Sequence, residues 1–136
     1  MSGLVFHHHG LAVRKDETAL AMLRCLGYAI GESVFDPEQN VYVRLCTSAH
    51  HPAVEIVMPG TAGKSPVDSI LAKHDALLYH TCYETDDLQK TLAGLEAQGL
   101  RLVCVAARKP AVLFGGRHVS FYMTPGWGLI ELLEAD

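Results

Sequence analysis

The sequence predicts an α+β fold of two tandem βαβββ modules, and the first reason is an internal repeat. His8 and His80 begin two similar segments that lie 72 positions apart. At this offset, and without a gap, four further pairs coincide: Leu20 with Leu92, Ala21 with Ala93, Leu23 with Leu95 and Gly27 with Gly99. Self-similarity at a fixed spacing indicates a duplicated structural unit. The second reason is that each copy has segments with the period-two hydrophobicity of strands around one segment with the 3.6 period of a helix.

The first module begins with a strand that is followed by a helix. In LVFHHHGLAV the period of two places His8 and Gly10 on one face of the strand and His9 on the other. Only one of these faces can hold a ligand. Asp16 is a suitable N-terminal cap for the helix, whose apolar residues recur with the 3.6 period, and Gly27 is well placed to end it.

Three further strands complete the first module. The segments GYAIGESVF and NVYVRLCTS are predicted to be strands, the second because its apolar residues alternate cleanly. The last strand, AVEIVM, carries a single acid, Glu55. The turn-rich segment PGTAGKSP then predicts a joint between the modules, followed by a short helix that ends at Lys73.

The second module repeats this order. LLYHTCYET is a predicted strand that contains His80, and Asp86 begins a capping-box-like segment for a helix that ends at Gly99. The strands LRLVCVAA, HVSFYMT and GLIELLE follow, with RKPAVLFGG as a long loop between the first two. The last strand carries Glu131, 76 positions after Glu55, so the second module has gained four residues before it.

These elements predict one domain over residues 1–136, with module one at about 4–60, a linker at 61–76 and module two at about 77–136. Modules of roughly 60 to 70 residues are each too small to be comfortably stable alone, so we expect them to share one core.

The composition argues against several classes of function and location. A net charge of −4 at pH 7, with the Lys and Arg residues scattered, argues against a nucleic-acid partner or an anionic membrane surface. No segment approaches the roughly 18 apolar residues of a membrane span, and MSGLVFHHHG lacks the features of a signal peptide, so we expect a cytoplasmic protein. The four cysteines show no C-x-x-C spacing and are expected to be buried free thiols.

Four residues at matching places of the repeat indicate a metal site. His8 and His80 lie in the first strand of each module, and Glu55 and Glu131 lie in the last strand. Two imidazoles and two carboxylates suit a divalent ion such as Zn, Co, Ni, Mn or Fe, and they leave coordination positions open for a bidentate oxygen ligand. We therefore expect one metal site built from two halves.

The motifs resemble the vicinal oxygen chelate superfamily of glyoxalases, extradiol dioxygenases and resistance proteins. Within it the likeness is to the methylmalonyl-CoA epimerase family, whose first strand D-H-I-G-I-A-V is similar to HHHGLAV and implies that His8 is the ligand. Four more family motifs have counterparts here: E-Q-G-V resembles Glu38 to Val41, I-E-L-L-E-P resembles VEIVMP with Glu55, H-I-A-F-E-V-D-D resembles HTCYETDD with His80, and V-L-I-E-L-V-E resembles GLIELLE with Glu131.

The resemblance implies a curved, cup-shaped mixed sheet around the metal, an acyl-CoA or other thioester substrate, and a homodimer. It also implies that Glu38 is one acid/base and that Glu131, or a neighbouring group, serves the opposite face of the substrate. Epimerisation requires a proton to leave on one face and another to arrive on the other, and a chelating metal stabilises the enolate between these steps. The expected activity is epimerisation of a 2-substituted malonyl-type acyl-CoA.

The sequence departs from the family at positions that surround the expected pocket. Asn40 stands where the family has a glycine beside the acid/base. Tyr79 precedes the ligand His80 where a second histidine is usual, and Met58 replaces an acid after Glu55. The four expected ligands are unaffected, so the changes bear on the substrate and not on the metal.

Other functions of the same superfamily remain open. A glyoxalase-like lyase or isomerase would use the same ligands on a thiol adduct. An extradiol dioxygenase typically holds Fe(II) with two histidines and one glutamate, so a fourth protein ligand counts against it. A metabolite-sequestering resistance protein would normally lack a full ligand set.

Overall fold

The computed structural model describes residues 3–136 and divides the chain into two compact units. One unit, here the N-terminal unit, is His8–Tyr79. The other, the C-terminal unit, comprises residues 3–7 together with His80–Asp136. The chain therefore passes from one unit to the other within its first strand, between His7 and His8.

The N-terminal unit contains most of the first strand and the elements that follow it. Their bounds are β1 (Val5–Val13), α1 (Glu17–Cys25), β2 (Ala29–Ile30), β3 (Val34–Asp36), β4 (Val41–Thr47), β5 (Val54–Pro59) and the single-turn α2 (Asp68–Leu71). The strands are ordered β2-β4-β5-β1, and β3 also pairs with β4. β1 runs parallel to β5, whereas β4 is antiparallel to β5, so the sheet is mixed.

The C-terminal unit repeats this arrangement. Its elements are β6 (Ala76–Thr85), which begins in the other unit, α3 (Leu88–Ala97), β7 (Val103–Pro110), a short 3₁₀ helix (Val112–Phe114), β8 (His118–Thr124) and β9 (Gly128–Glu134). The strand order is β6-β9-β8-β7. β6 is parallel to β9 and β8 is antiparallel to it. The predicted α+β class with a mixed sheet is confirmed.

Strand register shows that the repeat is structural. In the N-terminal unit Glu55 is the Cα partner of Gly10, two residues after His8. In the C-terminal unit Glu131 is the Cα partner of Cys82, two residues after His80. Because alternate residues of a strand share a face, each glutamate lies on the same face of its sheet as the histidine of its module.

Helices α1 and α3 end as predicted, and the predicted cap position is confirmed for α1 but wrong by one residue for α3. Gly27 and Gly99 both adopt positive φ, 87° and 86°, which glycine tolerates at a helix C-terminus. Asp16 is the N-cap residue of α1, but its side chain makes no capping hydrogen bond; its carboxylate lies 3.5 Å from the Arg44 guanidinium instead. In α3 the cap is Asp87 and not Asp86, because the Asp87 carboxylate accepts the backbone N–H of Lys90 at 3.0 Å.

Two predicted segments differ in the structure. GYAIGESVF forms two short strands, β2 and β3, which are separated by residues 31–33. At Gly31 the chain lies so close to the Leu45 carbonyl that a Cβ would be 2.1 Å from its oxygen. β7 extends through Pro110, so the predicted long loop RKPAVLFGG is reduced to the residues after that proline. Pro110 is compatible with a strand here because β7 is the last strand of its unit's sheet.

Each sheet packs its helix against one face. In the N-terminal unit Leu23 of α1 packs with Val13, Val54 and Ile56, and in the C-terminal unit Leu88 and Leu92 of α3 pack on Ile130 and Leu132. All four cysteines are free, as predicted, but Cys25 and Cys104 are exposed because they lie at a helix end and in the outermost strand. None of the helices formed by residues 3–136 is long and apolar enough to cross a membrane.

Candidate metal centre

The first candidate ligand pair lies on the sheet of the N-terminal unit. His8 is fully buried in β1, and Gly10 and Ala12 on the same face are buried too, so the predicted strand parity is confirmed. His9, on the opposite parity, is only half-buried. Glu55 in β5 is 6% exposed, and its Oε1 lies 3.5 Å from His8 Nε2.

The second candidate ligand pair occupies the equivalent place in the C-terminal unit. His80 in β6 and Glu131 in β9 are 4% and 3% exposed. Glu131 Oε1 lies 3.1 Å from His80 Nε2. The Phe121 ring meets the His80 imidazole edge to face, with centroids 5.3 Å apart, which restricts how that imidazole can turn. The same two residue types, joined through the same atoms, therefore recur in both units.

Each pair has the geometry of two ligands of one ion. Two atoms that each lie about 2.1 Å from an ion, at an angle of about 90° to 110°, are about 3.0 to 3.4 Å apart. The nitrogen–oxygen separations of 3.5 and 3.1 Å are close to that range. Each of the four side chains can offer one ligand atom, an imidazole nitrogen or a carboxylate oxygen. A buried carboxylate also needs a compensating charge, which a divalent cation supplies. The donor set therefore fits a divalent ion.

Glu38, the expected acid/base, lies in the N-terminal unit at a turn between β3 and β4. Residues 37–40 form this turn, and the Glu38 side chain is exposed. Its backbone N–H donates to Asp36 Oδ1 at 2.9 Å. Asp36 itself is 3% exposed at the end of β3. The turn is therefore held by a buried carboxylate, while the Glu38 carboxylate faces outward from it.

Two residues that contact the segments of the candidate residues were not predicted from the sequence. Asp36 is one of them, and an Asp two residues before a turn amide is a known local signal, the Asx turn. In the C-terminal unit Arg117 donates from NH2 to Glu84 Oε2 at 2.6 Å and from Nε to the Glu134 carbonyl at 2.9 Å. These bonds join β6, which contains His80, and β9, which contains Glu131, to the residue directly before β8. No local pattern predicts this contact, because its partners are 17 and 33 residues away.

Family comparison agrees with the geometry. The profile of the glyoxalase/bleomycin resistance protein/dioxygenase superfamily matches residues 7–121. The chain belongs to this superfamily. The matched range includes His8, Glu55 and His80 but ends before Glu131, so the fourth member of the candidate set rests on the repeat and on its register with β6. A comparison with curated proteins finds no match.

Several solved structures share the superfamily fold with this chain. The methylmalonyl-CoA epimerase of Mycobacterium tuberculosis is 21% identical, with a TM-score of 0.76 over 96% of this chain and 87% of that one. Hypothetical protein BH1468 of Bacillus halodurans C-125 is 17% identical, with a TM-score of 0.80 over 98% and 96%. A variant of the Streptomyces coelicolor methylmalonyl-CoA epimerase, in complex with 2-nitronate-propionyl-CoA, is 20% identical, with a TM-score of 0.71 over 96% of both chains. At these identities the likeness is one of fold.

Proposed function

We propose that this protein is a metal-dependent isomerase that epimerises a 2-substituted malonyl-type acyl-CoA. The observation that carries the proposal is the buried histidine–glutamate pair that recurs, in the same register, in both units. Folding alone does not require such a pair in either unit, because two buried apolar residues of similar size would stabilise the fold at least as well. The duplication of the histidine–glutamate pair favours a shared chemical role.

In this proposal His8, Glu55, His80 and Glu131 hold one divalent ion, whose identity among Co, Zn, Ni, Mn and Fe is left open. Two imidazoles and two carboxylates match the borderline ions of this group. When bound, the ion supplies Lewis-acid stabilisation of the negative charge that develops when a thioester loses its α-proton. Apolar neighbours such as Phe121 keep water from the His80 imidazole and so strengthen electrostatic interactions there.

Proton transfer in this proposal belongs to glutamates. Glu38 removes the α-proton on one face of the substrate, and Glu131 or a neighbouring group returns a proton on the other. Glu38 is exposed in its turn, so its carboxylate is accessible to a substrate from which it could take a proton. Glu131 has the weaker role, because a carboxylate that binds a metal is less basic than a free one.

The substrate class is supported by the superfamily and by the solved structures with the same fold. The proposed chemistry requires three features of the substrate. These are a carbonyl that can bind the ion, a carboxylate that can chelate the ion together with it, and a hydrogen on the carbon between the two groups. A 2-substituted malonyl thioester has all three. The epimerase variant of Streptomyces coelicolor was solved with 2-nitronate-propionyl-CoA, a thioester of related shape.

The test of this function is hydrogen exchange on methylmalonyl-CoA in deuterated water. We expect the wild-type protein to replace the substrate α-hydrogen with deuterium, as measured by NMR or mass spectrometry, with no oxygen consumed and no change of mass in ordinary water. Oxygen uptake would support a dioxygenase instead. Cleavage or formation of a thiol adduct would support a glyoxalase-like lyase, and tight binding without exchange on any acyl-CoA would support a sequestering protein.

We also expect a homodimer. β7 is the outermost strand of the C-terminal unit's sheet, and Val103 and Val105 in it are 41% and 59% exposed. Open strand edges with apolar side chains favour association with another chain. Light scattering at micromolar concentration is expected to give twice the chain mass of 14.8 kDa. A mass of a single chain would refute the dimer without affecting the proposed chemistry.

A further inference from the structure

The turn that carries Glu38 is anchored on its N-terminal side by Asp36. This aspartate is 3% exposed, and both of its carboxylate oxygens accept hydrogen bonds from the turn. Oδ1 accepts the backbone N–H of Glu38 at 2.9 Å, and Oδ2 accepts Nε2 of Gln39 at 3.2 Å. A charged acceptor that is shielded from water makes strong hydrogen bonds. The backbone of Glu38 is therefore fixed from the β3 side.

Asn40 anchors the same turn on its C-terminal side. Its φ of 55° is the one positive value among the non-glycine residues of the described chain. Its Oδ1 accepts the N–H of Ala62 at 3.2 Å. Its Nδ2 donates to the carbonyls of Gly63 at 2.9 Å and Lys64 at 3.2 Å. One side chain thus bonds three successive residues of the segment that follows β5.

Gly60 completes this contact. Its N–H donates to the Asn40 carbonyl at 2.8 Å. A Cβ on Gly60 would lie 2.2 Å from Asn40 Oδ1, so no larger residue fits without displacing the asparagine side chain. The turn of Glu38 and residues 60–64 are therefore packed together through Asn40, by backbone as well as side-chain bonds.

The choice of asparagine at this position is informative. A glycine, which the resembled epimerase family has here, adopts positive φ with no steric cost. Asparagine adopts it less readily, although better than most residues. If backbone conformation were the only requirement, glycine would serve better. What asparagine adds is the set of three side-chain hydrogen bonds to residues 62–64.

We propose that Asp36 and Asn40 are positioning residues, which hold Glu38 in place for removal of the substrate α-proton and link its position to residues 60–64. This inference rests on the proposed function, since it assigns Glu38 the role of base. An exposed turn without such anchors samples many conformations. Proton transfer requires the carboxylate to stay within hydrogen-bond reach of the reacting hydrogen, and misplacement by about 1 Å can cost on the order of 10²-fold in rate.

The test is Asn40→Gly, which keeps the backbone conformation and removes all three side-chain bonds. We expect kcat for α-hydrogen exchange on methylmalonyl-CoA to fall by about 10-fold, while KM changes by less than about 2-fold, because the bonds position a base and do not bind substrate. Metal content is expected to stay the same. Amide hydrogen exchange, measured by mass spectrometry, is expected to become faster in residues 36–41 and 60–64.

Two further variants make the result specific. Asp68→Ala removes two hydrogen bonds of the same linker, from the Ser65 N–H and hydroxyl, without touching the turn of Glu38, and is expected to leave kcat unchanged. Asn40→Asp keeps the acceptor for Ala62 and removes the two donated bonds. Its second carboxylate oxygen would face the carbonyl oxygens of Gly63 and Lys64 and repel them, so its kcat is expected to fall at least as far as that of Asn40→Gly. An equal loss in Asp68→Ala would mean that general loosening of the linker is the cause, and would overturn the positioning role.

Combining Asn40→Gly with Glu38→Gln separates this inference from the proposed function. If Asn40 acts through Glu38, adding Asn40→Gly to the Glu38→Gln protein changes kcat little. If it lowers kcat about 10-fold in that background as well, Asn40 acts elsewhere and the positioning role is wrong, although Glu38 remains the base. If Glu38→Gln alone exchanges deuterium as fast as wild type, the proposed base is wrong, and faster amide exchange in Asn40→Gly then reports a structural contact only.

Discussion

Replacing Glu38 with glutamine is expected to lower turnover by on the order of 10²-fold or more, while the fold and the metal content stay the same. Glutamine has nearly the shape of glutamate but no basic carboxylate, so it cannot take the α-proton. The bond between the Glu38 backbone N–H and Asp36 does not involve the changed side chain. The side chain is exposed, so the free energy of unfolding is expected to change by less than about 0.5 kcal/mol. Deuterium exchange on methylmalonyl-CoA measures the loss directly.

The matched control for this substitution is Glu32→Gln. Glu32 is an exposed glutamate in the connection just before β3, so it undergoes the same chemical change close to the same turn. Its variant is expected to exchange deuterium at the wild-type rate. If Glu38→Gln also keeps the wild-type rate, the base lies elsewhere and the role of the PEQN segment is wrong, even if the metal site is right.

Removing one histidine of the proposed metal site is expected to remove most of the bound metal. Wild-type protein should bind about one divalent ion per chain, and His80→Ala should leave little of it after dialysis, as measured by elemental analysis. His8→Ala should behave in the same way, because both histidines serve one ion in the proposal. If each histidine–glutamate pair held its own ion, wild type would bind two ions per chain and each variant would lose half.

Strand parity provides the control for the metal experiment. His9 is adjacent to His8 in the sequence, but it points to the opposite side of β1. His9→Ala is therefore expected to leave metal content nearly unchanged. Both variants need a check of folding by circular dichroism, because His80 is buried and its truncation costs packing energy as well. Equal loss of metal in His9→Ala and His80→Ala, with both proteins folded, would show that the wrong histidine had been chosen.

The fold could be predicted largely from short-range patterns. Period-two segments and the 72-residue offset predicted the order of elements, and Gly27 and Gly99 predicted where the helices end. The division of GYAIGESVF into β2 and β3 was not predicted, and neither was the close approach of Gly31 to Leu45, 14 residues later. The length of β7 was underestimated because Pro110 normally argues against a strand, and its tolerance there depends on the position of β7 in the sheet.

The candidate site was predictable in its principal residues and not in their supports. His8 and Glu55 were identified because burial, parity and the repeat leave a visible pattern in the sequence, and the same holds for their counterparts in the second module. Of the two anchors of Glu38, Asp36 left only the local signal of an Asx turn, and Asn40 left none. Asn40 bonds residues more than 20 positions away, so its contacts appear only once β4 and β5 are paired. From the sequence alone, Asn40 was interpreted as a departure from the family's glycine that bears on substrate choice.

The common register of the two parallel strand pairs restricts where this protein can change in length. Inserting or deleting one residue within β5 or β9 would turn the glutamate to the opposite face of its sheet. The four residues that the second copy gained lie between Gly99 and Phe121, since Phe121 is the Cα partner of Glu131 just as Leu45 is the Cα partner of Glu55. In both units the Cα partner of the glutamate lies two residues after the histidine, whereas the stretch between the helix and the strand before the glutamate differs in length. Engineered insertions should therefore be tolerated in connections between strands and not inside β1, β5, β6 or β9.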